Sequence, residues 1–230
     1  MAGEGRGYPR GVNNGFAMNA VHFRRKLTPE HRVMLAGRIF DQGLIALAFL
    51  LASCGQPQGS VASIENATWT TAQGTQVALS SILGKRATVF LTLDPECPFC
   101  QLYAHDIQSM AARQAPGEVN FVGVYAGPFM ERGKAAVFAA DAGFNFPQLM
   151  DPACVLSLAL KARVTPESFI TDAAGTVVYR GAFDDRAVRQ GRKKIEAGKH
   201  YLEDALAGFL REGKPQPEVT AVGCIVECGD

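Results

Sequence analysis

Excess charge is missing from this sequence. Lysine and arginine together number 23 and aspartate and glutamate 22 in 230 residues, a net charge of +1, so the chain carries no electrostatic footprint for nucleic acid. Cysteine is sparse as well. Six cysteines are too few and too unevenly placed to staple a chain of this length into a disulfide scaffold. A long hydrophobic run is also lacking. The unbroken apolar stretch Leu44-Ile45-Ala46-Leu47-Ala48-Phe49-Leu50-Leu51-Ala52 has nine residues, against the roughly 20 that a membrane-spanning helix needs. Internal repeats are absent, and low complexity is confined to the N-terminus. What is present, 47 % hydrophobic and 20 % charged residues, is the composition of a globular protein with a proper core.

The first part of the chain does not read as part of that core. Met1 to Val33 is rich in Gly, Arg and Asn and lacks periodicity. The nine-residue apolar run that follows suits the central region of a secretory signal. Leu51-Ala52-Ser53-Cys54-Gly55 resembles the bacterial lipobox. That resemblance implies that Cys54 is diacylated and becomes the mature N-terminus, anchored to the membrane by two acyl chains where one alone binds marginally. The competing reading is a buried helix ending in Ser-Cys-Gly, and Met34 is an alternative start. The expected organisation is a signal-bearing extension over 1–53, a tether over 54–67, a folded domain over 68–213 and a cysteine-containing tail over 214–230.

Along the mature chain, Thr75 to Leu79 alternates weakly and leads into a short helical turn closed by Gly84. Ala87 to Leu93 is a β-branched and apolar run expected to form a strand buried on both faces. From Cys97 to about Arg113 the apolar residues Leu102, Tyr103, Ile107 and Met110 recur at helical spacing. Val119 to Tyr125 reads as a second buried strand and Glu131 to Ala142 as a helix. Phe146 to Met150 is short and extended, and Asp151-Pro152 is expected to start the next helix by the preferences of the first helical positions. Ser168 to Thr171 and Thr176 to Tyr179 flank Asp172-Ala173-Ala174-Gly175, a hairpin by its turn chemistry. His200 to Arg211 is a final amphipathic helix. A β-α-β crossover makes the first strands parallel and the hairpin adds antiparallel ones. The predicted fold is therefore α/β, a central mixed sheet flanked by helices in the thioredoxin plan, with an N-terminal extension.

The chemistry concentrates at Cys97-Pro98-Phe99-Cys100, where a buried strand ends and a helix begins. Two cysteines three apart on a first helical turn can close a small ring. The N-terminal one lies at the positive end of the helix dipole, which favours the thiolate, the nucleophilic form. Cys97 is therefore expected to attack a partner disulfide and Cys100 to resolve the mixed disulfide. Asp94 and Glu96 place like charge beside Cys97, which disfavours a thiolate and points toward a reducing role. Gln101 stands where haem attachment requires histidine, and the cysteines at 224 and 228 are spaced wrongly for the other half of a zinc site. No metal and no organic cofactor are expected.

Asp94-Pro95-Glu96-Cys97-Pro98-Phe99-Cys100, Phe121-Val122-Gly123-Val124-Tyr125, Phe146-Pro147, Asp151-Pro152 and Val164-Thr165-Pro166-Glu167 together resemble the redoxin (AhpC/TSA-like) branch of the thioredoxin superfamily. Tyr179 to Arg186 and Ala221-Val222-Gly223-Cys224-Ile225 resemble an exported bacterial subgroup of it. The resemblance implies a cis proline at Pro166 lying against the cysteine pair, with the Thr165 backbone free to pair with an extended substrate. Many members of that subgroup lack the second cysteine and keep one at the position of Cys224. This chain has both, which implies a relay or resolving role for Cys224, delivered by a flexible tail. The implied activity is extracytoplasmic thiol–disulfide exchange with protein cysteines, apocytochrome haem-attachment thiols among them. Electrons would come from a membrane donor on the same side.

Two other activities fit the same cysteines. In a peroxiredoxin, Cys97 would be peroxidatic and Cys224 resolving, although Asp94 stands where that family places threonine and Thr92 lies too far back. A copper(I) module would use the soft thiolates of Cys224 and Cys228, for which a plain disulfide between the two is the competing expectation. Cys154 reads as a small buried cysteine, His105 as helix surface, Trp69 as core or cleft rim, and Asp184, Asp185 and Arg186 as loop-fixing residues.

Overall fold

A computed structural model describes residues 59–228. The apolar run at 44–52, the start at Met34 and the lipidation expected at Cys54 lie outside the described residues.

Seven strands form one mixed sheet in the order β2-β1-β5-β4-β3-β7-β8. They are β1 (Thr68–Thr71), β2 (Gln76–Ala78), β3 (Ala87–Thr92), β4 (Val119–Ala126), β5 (Gln148–Asp151), β7 (Ser168–Asp172) and β8 (Val177–Gly181). Strand β3 pairs in parallel with β4 and antiparallel with β7. Every residue of β3 is buried, as a run without alternation requires of a strand covered on both faces. Its side chains divide by the period of two. Val89 and Leu91 join a core with Tyr103, Ile107, Leu202 and Leu206, while Phe90 joins Val122, Leu149, Leu156 and Phe169 on the other face. Sequence reading anticipated one strand before β3. There are two, and Trp69 of β1 is buried in the second core.

Among the described residues four helices cover the sheet: α1 (Pro98–Ala112), α2 (Arg132–Asp141), α3 (Val155–Leu160) and α4 (Tyr201–Glu212). Helix α3 departs from expectation by starting at Val155 rather than Pro152. Asp151 is the last residue of β5, and its buried carboxylate accepts from the Leu156 and Ser157 amides and the Ser157 hydroxyl. It caps the helix from a distance, and the backbone turns through Cys154 at φ 55°.

Two more expectations are corrected. Residues 59–67, expected within a tether, are packed on the domain. Ser60 bridges Thr176, Val61 is fully buried, and Ala62–Ile64 forms a 3-10 turn. The tail beyond 214 is not free either. Gln216 donates to Val178 O, Val219 bridges Gly181, and β11 (Cys224–Ile225) pairs antiparallel with β6 (Val164–Thr165). A further small hairpin, β9 (Ala187–Arg189) and β10 (Arg192–Lys193), precedes α4.

Candidate active site

Cys97 is the residue before α1, in extended conformation (φ −76°, ψ 118°), and Pro98 opens the helix. Proline suits this position because its fixed φ is already helical and its missing N–H would have no partner there. The Cys97 carbonyl accepts the first helical bond from Gln101 N at 3.1 Å. The sulfur is thereby fixed at the positive end of a 15-residue helix. Cys100, one turn on, is fully buried, and the Asp94 amide donates to its sulfur at 3.3 Å.

The opposite wall is the loop between β6 and β7, where the Thr165–Pro166 peptide is cis. In its protonated form the Cys97 thiol donates to Thr165 O at 3.1 Å. Thr92, set aside in the sequence reading, holds this wall in place. Its hydroxyl donates to Val164 O at 2.7 Å and accepts from Glu167 N at 2.8 Å. Glu167 is itself fully buried, with Arg163 bonded to its carboxylate. A strand-end threonine joined to a loop 75 positions away leaves no local signature, which is why sequence reading passed over it.

Cys224 completes the group. Its thiol donates to Cys97 Sγ at 2.8 Å, and its backbone pairs in register with Thr165. The structure therefore brings together Cys97, Cys100, Thr165, Pro166 and Cys224. His105 is exposed on α1 and stands apart. Asp184 and Arg186 pair with each other, and Arg186 also bonds Asp106 and lies over the Tyr103 ring.

Three sulfurs at one point have unequal acidities. The Cys97 thiol is pulled down to about 4, first by a hydrogen bond from the Cys100 thiol and also by one from Cys224, against the opposing effect of burial. Cys100 is pushed well above the ordinary thiol range, first by burial and then by its bond to Cys97. Cys224 is pushed up to about 12 for the same two reasons in the same order. The expectation that Asp94 and Glu96 raise Cys97 is thus reversed. Lys134 pairs with Glu96 at 2.6 Å and compensates its charge, while the field of Asp94 raises Cys100 and Cys224. The result is one thiolate supported by two thiols. When Cys97 enters a mixed disulfide its charge disappears, and with it one cause that keeps its two neighbours protonated.

Cys154 and Cys228 form a disulfide across a sequence separation of 74. This overturns the expected Cys224–Cys228 bond; Cys154 is buried as expected, as one half of a disulfide. It also removes the copper(I) pair, because Cys228 is not a free thiolate. Among the described residues no group of three or more His, Cys, Asp or Glu side chains is arranged to hold a metal ion, and no helix is long and apolar enough to cross a membrane.

Comparison with known proteins identifies the scaffold. No curated protein matches the chain. Among solved structures, a conserved uncharacterised protein from Geobacillus kaustophilus superposes with a TM-score of 0.61 at 25 % identity, over 74 % of this chain and 92 % of its own. A hypothetical protein from Sinorhizobium meliloti gives 0.62 at 22 % identity, over 75 % and 94 %. The bacterioferritin comigratory protein of Xanthomonas campestris, described for its alkyl peroxide reduction activity, gives 0.50 at 16 % identity, over 68 % and 98 %, a likeness of fold alone. The AhpC/TSA family pattern matches residues 62–180, from the turn before β1 into β8. With just over half of the sequence matched and a cysteine pair at the mouth of α1 facing a cis proline, the chain belongs to the AhpC/TSA family of redoxins and is an oxidoreductase of the thiol–disulfide or peroxidase type.

Proposed function

We propose that this protein exchanges disulfides with protein cysteines. Cys97 is the attacking thiolate, Cys100 the resolving thiol and Cys224 a second thiol able to take the bond from Cys97. The observation that carries this reading is the pairing of β11 with β6. An extended, cysteine-bearing segment lies on the Thr165 edge with its sulfur 2.8 Å from Cys97. A substrate peptide on the same edge would present its own sulfur in the same way. The Cys97 thiolate attacks one sulfur of a substrate disulfide and releases the other as a thiolate. Cys100 or Cys224 then attacks Cys97, freeing the reduced substrate and leaving an internal disulfide, which a membrane donor reduces with two electrons and two protons. The reverse sequence oxidises substrate dithiols.

The lipobox-like segment at Cys54 supports a location on the extracytoplasmic face of a membrane. Labelled palmitate should enter the wild-type chain in cells and be absent from Cys54→Ala. Equal labelling would remove the anchor from the account.

The peroxidase reading draws on the Cys97–Cys224 contact. Peroxide would oxidise Cys97 to a sulfenic acid and release water or an alcohol, and Cys224 would condense with the sulfenic acid to form the disulfide and release water. Asp94 argues against this, because a carboxylate at that position repels a peroxide anion. The reduced protein should therefore reduce insulin disulfides while consuming hydrogen peroxide no faster than a Cys97→Ser control. Rapid peroxide turnover without insulin reduction would reverse the assignment.

A further inference from the structure

Cys97 is 1 % exposed although it is the nucleophile, and what covers it is the chain's own tail. Cys224 Sγ sits on its sulfur, and the tail backbone takes the edge that a substrate peptide would use. The tail backbone approaches both walls closely. A Cβ at Gly223 would lie 2.2 Å from Thr165 O, and one at Gly127 2.6 Å from Glu227 O. The tail thus touches backbone on both sides of the cleft. An external sulfur reaches Cys97 only after this segment has moved.

The tail is anchored upstream by Val219 and by the Glu218 ion pairs with Arg163 and Arg180, but few non-covalent bonds hold its last residues over the site. Strand β11 has two residues, supported by Val226 N to Arg163 O at 3.0 Å and Gln190 Nε2 to Gly223 O at 2.6 Å. A ladder this short is marginal in water. The fastening is the Cys154–Cys228 disulfide at the far end of the segment. Cys154 occupies the left-handed backbone region at φ 55°, which non-glycine residues seldom adopt. The uncommon conformation falls at the position where the tail is tied down, a coincidence typical of functional positions. Cys154 is fully buried while Cys228 is partly exposed, so an attacking thiol would approach from the Cys228 side.

We propose that Cys154–Cys228 is a second redox-active disulfide, a clasp whose reduction by a protein dithiol releases the tail and opens the Thr165 edge to substrate. The proposal rests on the thiol–disulfide reading of Cys97. A thiolate of the dithiol attacks Cys228 Sγ, and Cys154 departs as a thiolate and is protonated. The second thiol of the reductant then attacks the mixed disulfide and frees Cys228. The clasp gains two electrons and two protons, and the reductant leaves as its own disulfide. With the clasp closed, Cys224 is held at high effective concentration beside Cys97, and bond exchange stays inside the molecule. With the clasp open, the edge is available to other proteins.

The test uses the full chain. Cys97 alkylation by iodoacetamide at neutral pH is followed by peptide mapping in two ways. One compares wild type with Cys228→Ser, a change at a partly exposed position. The other titrates wild type with dithiothreitol and scores Cys97 separately in molecules whose clasp maps as bonded or reduced. The expected result is a gain of at least about tenfold in Cys97 alkylation when the clasp is open, the shift that moves a mostly closed equilibrium to an open one, with faster hydrogen exchange at the Val226 amide. Equal rates in both states would overturn the proposal, as would a clasp that stays bonded until the domain unfolds. The two readings fail separately. A protein that shows the tenfold gain yet reduces no insulin in either state retains the clasp and loses the proposed activity, whereas insulin reduction indifferent to the clasp retains the activity alone.

Discussion

Replacing Cys97 with serine is expected to remove insulin reduction down to the uncatalysed background, a loss on the order of 10³-fold or more, as removal of the proposed nucleophile requires. The hydroxyl has nearly the shape of the thiol and can still donate to Thr165 O at the 3.1 Å contact, so the fold should persist, less the stability that the Cys97 thiolate contributes near neutral pH. Cys100→Ser is expected to behave differently. The first attack survives, and the fate of the mixed disulfide then depends on Cys224, which already touches Cys97. Turnover measured for Cys100→Ser, Cys224→Ser and the double variant separates the two resolving routes. Full activity in Cys97→Ser would contradict the assignment.

The second large effect is on pH dependence. A thiol lowered to about 4 is already ionised across the neutral range, so the rate of Cys97 alkylation should be flat between about pH 6 and 8. An ordinary thiol near 8.5 would gain about tenfold per pH unit there. Closure by the tail lowers the absolute rate and leaves this profile unchanged. The stability of the reduced protein should follow the same groups. The folded-state pKa of Cys97 lies below its unfolded value, so its contribution is complete above about pH 8.5 and is lost as pH falls through about 4. Cys100 and Cys224 are raised, so theirs is complete below about pH 8.5 and is lost as pH climbs through their folded values. Urea midpoints of reduced wild type, measured against Cys97→Ser, should therefore rise from about pH 5 to 8. An alkylation rate that climbs tenfold per unit up to pH 8 would show that Cys97 is an unactivated thiol.

Thiolate stabilisation also bears on the direction of electron flow. A reduced form held by hydrogen bonds from Cys100 and Cys224 is harder to oxidise, and this raises the reduction potential of the pair. The acidic residues before Cys97 suggested the opposite bias when only the sequence was considered. Sequence adjacency does not say where charge is compensated, and Lys134, 38 positions from Glu96, is what compensates it.

That example marks the boundary of what the sequence carries. Strands β3 and β4 were legible because an unbroken apolar run has few other destinies. Helix α1 was legible because Tyr103, Ile107 and Met110 recur at its period, and the hairpin because Asp172 and Gly175 supply its turn chemistry. The cysteine pair stood out by its place between a buried strand and a helix, and Pro166 through the family resemblance. The docked tail did not, because two residues of strand over the active site make no pattern that periodicity can detect. Nor did the Cys154–Cys228 bond, since spacing along a chain does not reveal disulfide connectivity. Thr92 was dismissed at the wrong reach for peroxide activation, and its actual partners, Val164 and Glu167, are visible only after folding.

The proposed chemistry starts at the Cys97 sulfur, and trapping measures that directly. Reduced protein carrying Cys100→Ser and Cys224→Ser is mixed with a disulfide-bonded protein, quenched with acid and digested, and the cross-linked peptide is sequenced by mass spectrometry. A substrate peptide joined to Cys97 is the expected product. A substrate joined elsewhere, or a protein whose Cys97 remains a free thiol while substrate disulfides are consumed, would contradict the account.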